Sequence, residues 1–149
     1  MLDDVYSKRI IELAANIPRI GRLARPDANA SAHSRICGST VKVEIAMDGN
    51  TITDFAHDVK ACLLGKASSS IMAHNVVGST AEEMRSLRNT VSKMLKEFGA
   101  PPDGKWSEIT ILRPVRDLKS RHASTLLTFD AVVEAVDQIK ARRDQLTHA

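Results

Sequence analysis

Aromatic side chains are scarce in this chain. Phe55, Phe98, Phe129, Trp106 and Tyr6 make up the whole set. That argues against the stacking platforms that bind single-stranded nucleic acid. Cysteine is rarer still, with only Cys37 and Cys62. Two thiols make no disulfide framework, and Met1-Leu2-Asp3-Asp4 has neither the basic nor the apolar region of a secretory signal. The expectation is reduced thiols in the cytoplasm. No apolar run approaches the roughly 20 residues of a membrane span. Charge of one sign is also lacking. The 21 basic residues against 18 acidic ones leave a net charge of +3, too mild for an electrostatic nucleic-acid footprint. The basic cluster Lys140, Arg142 and Arg143 suits the negative end of a C-terminal helix.

What is present is the pattern of one α+β domain spanning residues 1–149, long enough to bury a real core. Asp3 or Asp4 is expected to cap a first helix that stops before Pro18, and residues 17–35, with Pro18, Gly21 and Pro26, read as a loop. Val41, Val43, Ile45 and Met47 alternate with Lys42, Glu44 and Ala46, which predicts a strand with one buried face. Asp48-Gly49-Asn50 turns the chain into a return strand starting at Ile52, and Phe55, His57 and Val59 alternate along it or along a strand after it. Helical spacing follows from Leu63 to Met72. Thr80-Ala81-Glu82-Glu83 opens a helix with Met84, Leu87, Val91 and Phe98 on one stripe. A short segment from Trp106 to Leu112 is broken by Pro114, and a last long helix begins near Ser120 and runs to a frayed basic end. The expected architecture is a small antiparallel sheet of about three strands with helices packed on one face.

The two thiols stand at strand ends. Cys37 and Ser39 share the side of Val41 and Val43 if the strand extends back to them. Cys62 falls just before a helix, whose N-terminus favours a thiolate. Such a pair could present soft ligands to a metal or a nucleophile to a sulfur donor, although isolated cysteines are more often inert packing.

A family resemblance adds to this reading. Pro18-Arg19 with Gly21, Cys37-Gly38-Ser39, Ile52-Thr53-Asp54 followed by Cys62 and Ala67-Ser68-Ser69-Ser70-Ile71-Met72, and Ser120-Arg121-His122-Ala123-Ser124 resemble successive motifs of one family. It is the iron–sulfur cluster assembly scaffolds of the NifU N-terminal, IscU and SufU kind. The spacing from Cys62 to Ser124 is SufU-like and leaves a helix-rich insert at about Asn89 to Glu108. The resemblance implies a site of three cysteines and an aspartate that holds iron, zinc or a nascent cluster, or receives sulfur as a persulfide. It implies a cysteine desulfurase and apo iron–sulfur acceptor proteins as partners, with no catalytic turnover, no nucleic acid and no membrane, in a monomer or weak homodimer. Carried over by position, Cys37 and Cys62 match as metal and sulfur-handling residues. Ser39 stands at the aspartate position and Ser124 at the third cysteine. A hydroxyl is not anionic at neutral pH, so any iron–sulfur cluster or zinc would be weakly bound.

His122 is the best candidate for a stand-in ligand, but it lies two residues from Ser124, about 200° around a helix, and a solvent-facing histidine in the first turn of that helix is the favoured reading. Arg121 is a supporting cation that would favour the thiolates. His57 reads as a half-buried strand histidine and His33 as a loop residue able to approach Cys37. His74 and His148 read as surface residues, and Ser68 to Ser70 as small residues for close helix packing. Three functional classes follow. The first is a scaffold or sulfur acceptor. The second is a degenerate module of the same fold that binds or regulates without metal. The third, least supported by spacing, is a Cys–His enzyme with Cys62 as nucleophile and His57 or His122 as base.

Overall fold

The computed structural model describes residues 7–35 and 38–148, with the side chains of 147 and 148 left aside. Asp3, Asp4, Tyr6 and Cys37 therefore lie outside the described residues. Helix α1 (Lys8–Ala15) is capped by Ser7, whose hydroxyl accepts from the Ile10 amide, and it buries Ile10 and Leu13. Three antiparallel strands follow in the order β1 (Ala28–His33), β2 (Thr40–Asp48) and β3 (Thr51–Lys60). Helices α2 (Leu63–Asn75) and α3 (Ala81–Lys96) come next. A run of 3₁₀ turns (Gly104–Asp117, then Lys119–Arg121) leads into α4 (His122–His148).

The alternation read in β2 is real. Val41, Val43, Ile45 and Met47 are buried, and they face β3 with Val41 opposite Val59, Val43 opposite His57 and Ile45 opposite Phe55. Burial on that face against α4 and α2 gives one layer of helices on one side of the sheet. The β2–β3 hairpin turns through Gly49 at φ +59°, a conformation that costs glycine nothing.

Four local expectations are corrected. Residues 28–33 form β1 rather than loop, pairing Ala28 with Ile45 and His33 with Thr40. The alternation there is Ala-Asn-Ala-Ser-Ala-His, and alanine is too weak an apolar signal to reveal a strand by itself; Ala28 and Ala30 are buried where α4 packs closely on β1. Phe98 does not join the buried stripe of α3. The helix ends at Lys96, and Phe98 takes a left-handed φ of 56°, leaving its ring 65% exposed with the Arg116 guanidinium 5.0 Å from its centre. The segment after Asp103 is longer than expected. Trp106, Ile109, Leu112 and Val115 are all buried, a spacing of three that matches 3₁₀ periodicity, and Pro114 sits inside the run without ending it. Lastly, the basic end of α4 is not frayed. Arg142 donates to the Asp27 carbonyl, and Arg143 to the carbonyls of Gly49 and, at 3.3 Å, Met47, so the end of α4 clamps the strand ends.

Residues 18–27 form a strap around the β3 edge. The His57 amide donates to the Arg19 carbonyl at 3.2 Å and the Gly21 amide to the His57 carbonyl at 3.0 Å. Beyond the edge, Glu44 accepts the Leu23 amide at 2.7 Å, and Asp27 accepts the Met47 amide at 2.7 Å. The edge of β3 is thereby covered next to His57. His57 is 1% exposed, its Nε2 donates to the Pro18 carbonyl at 2.8 Å, and its Nδ1 is buried without a partner.

Burial pushes the His57 imidazole below the ordinary histidine range, against the opposing pulls of the Pro18 carbonyl and Asp58. Protonation therefore costs more in the folded chain than in the unfolded one. The corresponding stability is present above about pH 6.5 and is lost as pH falls through that value toward the depressed folded pKa. Denaturant melts between pH 7.5 and pH 5 should show this loss, with a slope of at most about 1.4 kcal/mol per pH unit for one proton. His57→Gln, which keeps a donor for Pro18 and cannot titrate, should flatten it.

Candidate functional site

One end of the sheet gathers the positions singled out in the sequence. β2 begins at Thr40, so Ser39 stands at its entry; β3 ends at Lys60, opposite Thr40, and Cys62 follows as the N-cap of α2. Ser124 lies in the first turn of α4. The Cys62 amide donates to Ser39 Oγ at 3.4 Å, and Cys62 Sγ lies 3.4 Å from Ser124 Oγ. Three of the four expected positions are thus brought together from segments 23 and 62 residues apart. The loop before Ser39 closes on itself, with the Ser34 amide on the Ser39 carbonyl at 2.8 Å and the Gly38 amide on the Ser34 carbonyl at 2.9 Å. Cys37, which lies between Ser34 and Ser39 in sequence, is outside the described residues.

Burial is graded across the site. Ser124 is 0% exposed and Ser39 3%, whereas Cys62 is half-buried against the core. The thiol is therefore the described group of the three that solvent or a partner can reach. Its place before α2 leaves the first amides of that helix, which have no intrahelical acceptor, directed toward its end of the sheet.

Gly65 makes the close approach possible. A Cβ built there would stand 2.8 Å from Ala61 Cβ and 3.2 Å from the Ser124 carbonyl oxygen, so only glycine lets the first turn of α2 lie against the first turn of α4. This was the residue the sequence reading missed. Its signal was a glycine in the first turn of a helix, where nothing about capping requires one. The hydroxyls beyond it are packed inward, as expected of small residues: Ser68, Ser69 and Ser70 are all 0% exposed, with Ser68 Oγ donating to the Gly65 carbonyl at 3.2 Å.

The remaining candidates are placed as follows. His122 is buried, and its Nε2 donates to the carbonyls of Val115 and Arg116 at 3.0 and 3.1 Å. Its hydrogen is spent on ending the 3₁₀ run, so Nδ1 alone keeps a lone pair. Arg121 offers its carbonyl to the site, accepting Thr125 Oγ1 at 2.8 Å and Ser124 Oγ at 3.2 Å. His33 ends β1 and pairs its Nδ1 with Thr40 Oγ1 at 3.0 Å, and His57 is occupied by the strap. Lys66 and His74 are exposed. Among the described residues no three of His, Cys, Asp and Glu come together in a way that could hold a metal ion, and no helix is long and apolar enough to cross a membrane.

A nitrogen-fixing NifU-like protein (N-terminal) from Brucella abortus has a crystal structure that superposes with a TM-score of 0.92 at 56% identity, covering 94% of this chain and 97% of that one. A putative iron–sulfur cluster assembly scaffold for the SUF system from Fervidobacterium islandicum shares the fold, with a TM-score of 0.82 at 19% identity over 90% of this chain and 98% of that one. The scaffold protein IscU of Rickettsia prowazekii is 27% identical over 143 residues, 93% of this chain and 95% of its own length. The profile of the NifU-like N-terminal domain matches residues 5–144, and the chain belongs to that family.

Proposed function

We propose that this chain works in iron–sulfur cluster assembly, as a scaffold or sulfur acceptor whose cargo is taken up through Cys62 and Cys37. The observation that carries the reading is the meeting of Cys62 with Ser39 and Ser124 at one end of the sheet. A half-buried thiol ahead of a helix N-terminus is available as a nucleophile and as a soft ligand. The partners of this reading are a cysteine desulfurase that supplies sulfur and apo iron–sulfur proteins that receive the product. The chain itself turns over no substrate. Its setting is the cytoplasm, and it acts as a monomer or weak homodimer without nucleic acid or membrane.

The donor set limits what can be held. Structural zinc takes four sulfur, nitrogen or carboxylate ligands, and two thiols with two hydroxyls do not supply them. Both hydroxyls already bond within the chain. Zinc is therefore no resident ion on this reading, and a nascent cluster is held weakly, as cargo passing through. His122 would join as a ligand only through Nδ1. The same engaged hydroxyls favour a second reading, a regulatory module of this fold that has given up assembly.

Anaerobic reconstitution with a cysteine desulfurase, iron and labelled cysteine separates the two. On the first reading the parent takes up labelled sulfur, and Cys62→Ala and Cys37→Ala each reduce the uptake, Cys62→Ala by more than about tenfold because the nucleophile itself is gone. A parent that never takes up label would sink the first reading and leave the second.

A further inference from the structure

The hydroxyl of Ser124 has one hydrogen and two acceptors in reach, the Arg121 carbonyl at 3.2 Å and Cys62 Sγ at 3.4 Å. The carbonyl does not depend on it, because Thr125 Oγ1 already donates there at 2.8 Å. With Cys62 as a thiol, S–H donates to Ser124 Oγ and the serine hydrogen rests on the carbonyl. With sulfur as an anion, the hydrogen turns to it at the cost of a bond that Thr125 still makes. Ser124 is 0% exposed, so no water competes for that hydrogen. Gly65 sets the spacing by letting the two helix starts meet.

We infer that Ser124 is a positioning residue for Cys62, a hydroxyl rotor that holds the sulfur in place while it accepts cargo, and not a vestigial metal ligand. The inference rests on the reading of Cys62 as a sulfur acceptor. In that step the Cys62 thiolate attacks the outer sulfur of a donor persulfide. A bond forms between Sγ and that sulfur, the donor S–S bond breaks, and its electron pair leaves on the donor thiolate. The Ser124 hydrogen bonds first to the attacking sulfur and fixes its direction. Ser39, accepting the Cys62 amide, holds the backbone of the same residue.

Glutathione persulfide serves as the donor in the test, with the product read by alkylation and peptide mass spectrometry. Trypsin separates the thiols into residues 36–42 and 61–66, so each molecule carries its own control. Ser124→Ala should cut sulfur uptake at Cys62 by about three- to tenfold, the range of one lost hydrogen bond of ordinary net strength, while uptake at Cys37 and the melting temperature stay near those of the parent. Thr125→Val should act in the same direction and less strongly, because removing the carbonyl's other donor draws the Ser124 hydrogen back. An unchanged ratio of Cys62 to Cys37 labelling in Ser124→Ala overturns the inference, and so does an equal fall at both thiols. Failure of the parent to label at either thiol removes the sulfur-acceptor reading itself, and the rotor with it; labelling in the parent with an unchanged ratio removes the rotor alone.

Discussion

The double variant Ser39→Asp, Ser124→Cys is expected to purify with about one zinc ion per chain, where the parent carries less than about a tenth of one. Two thiolates and two neutral hydroxyls become three thiolates and a carboxylate. The scaffold already has the right spacing for at least one edge of the site. Two sulfurs on one tetrahedral zinc, each bonded at about 2.3 Å, lie about 3.8 Å apart. Cys62 Sγ and Ser124 Oγ are 3.4 Å apart, and a cysteine's longer bond to sulfur moves the second atom by only a few tenths of an ångström. Ser39 meets the same residue through the Cys62 amide, at 3.4 Å.

Metal analysis of anaerobically purified protein checks the stoichiometry, and thermal melting with and without a chelator checks the energy. An ion bound at a thousand times its dissociation constant adds about 4 kcal/mol, so the double variant should melt well above the parent and lose that gain in chelator. Stoichiometric zinc in the parent, abolished by Cys62→Ala, would show that the hydroxyls or a histidine complete the site after all. A double variant that stays metal-free would show that the fold no longer holds the four positions in register.

The second large effect is expected at Gly65. A methyl group there meets Ala61 Cβ at 2.8 Å and the Ser124 carbonyl oxygen at 3.2 Å. Neither can yield by changing rotamer, since one is an alanine and the other is backbone. Overpacking of this kind costs about 1–3 kcal/mol. Alanine's better helix propensity returns at most about 1 kcal/mol. Gly65→Ala should therefore be destabilised on balance by about 1–2 kcal/mol, a fall of several degrees in melting temperature for a domain of this size. The damage should concentrate at the site, because relief requires the starts of α2 and α4 to part. Sulfur uptake at Cys62 should drop beyond what the stability loss explains. A Gly65→Ala protein that melts with the parent and labels normally would show that the helices slide apart at no cost.

Much of the fold was legible in the chain. The period-two run of Val41, Val43, Ile45 and Met47 was correctly read as a half-buried strand. Thr80 was correctly read as a cap, its hydroxyl accepting the Glu83 amide at 3.1 Å. Both signals are local, set by residues within a few positions of one another. The 3₁₀ run was legible only as a short segment from Trp106 to Leu112, because the repeat of Trp106, Ile109, Leu112 and Val115 every third residue fits neither the period of 2 that marks a strand nor the 3.6 that marks an α-helix. β1 was hidden for a different reason. Its alanines are buried by the close approach of α4, and nothing local distinguishes them from loop alanines.

The site divides along the same line. The chemical identity of its donors was settled by the sequence alone: thiols at positions 37 and 62, and hydroxyls at 39 and 124, where the family pattern has carboxylate and thiol. Side-chain chemistry is a property of the residue, and no fold restores a charge that the residue lacks. Which donors meet, and what they do meanwhile, was decided only in three dimensions. The histidine that looked available at 122 spends its hydrogen on the carbonyls of Val115 and Arg116, and the serine at 124 has its hydroxyl between the Arg121 carbonyl and the Cys62 sulfur. Hydrogen bonds of this kind join residues whose distance is set by helix packing, and that packing turns on a glycine whose importance shows only once Ser124 is seen lying against it.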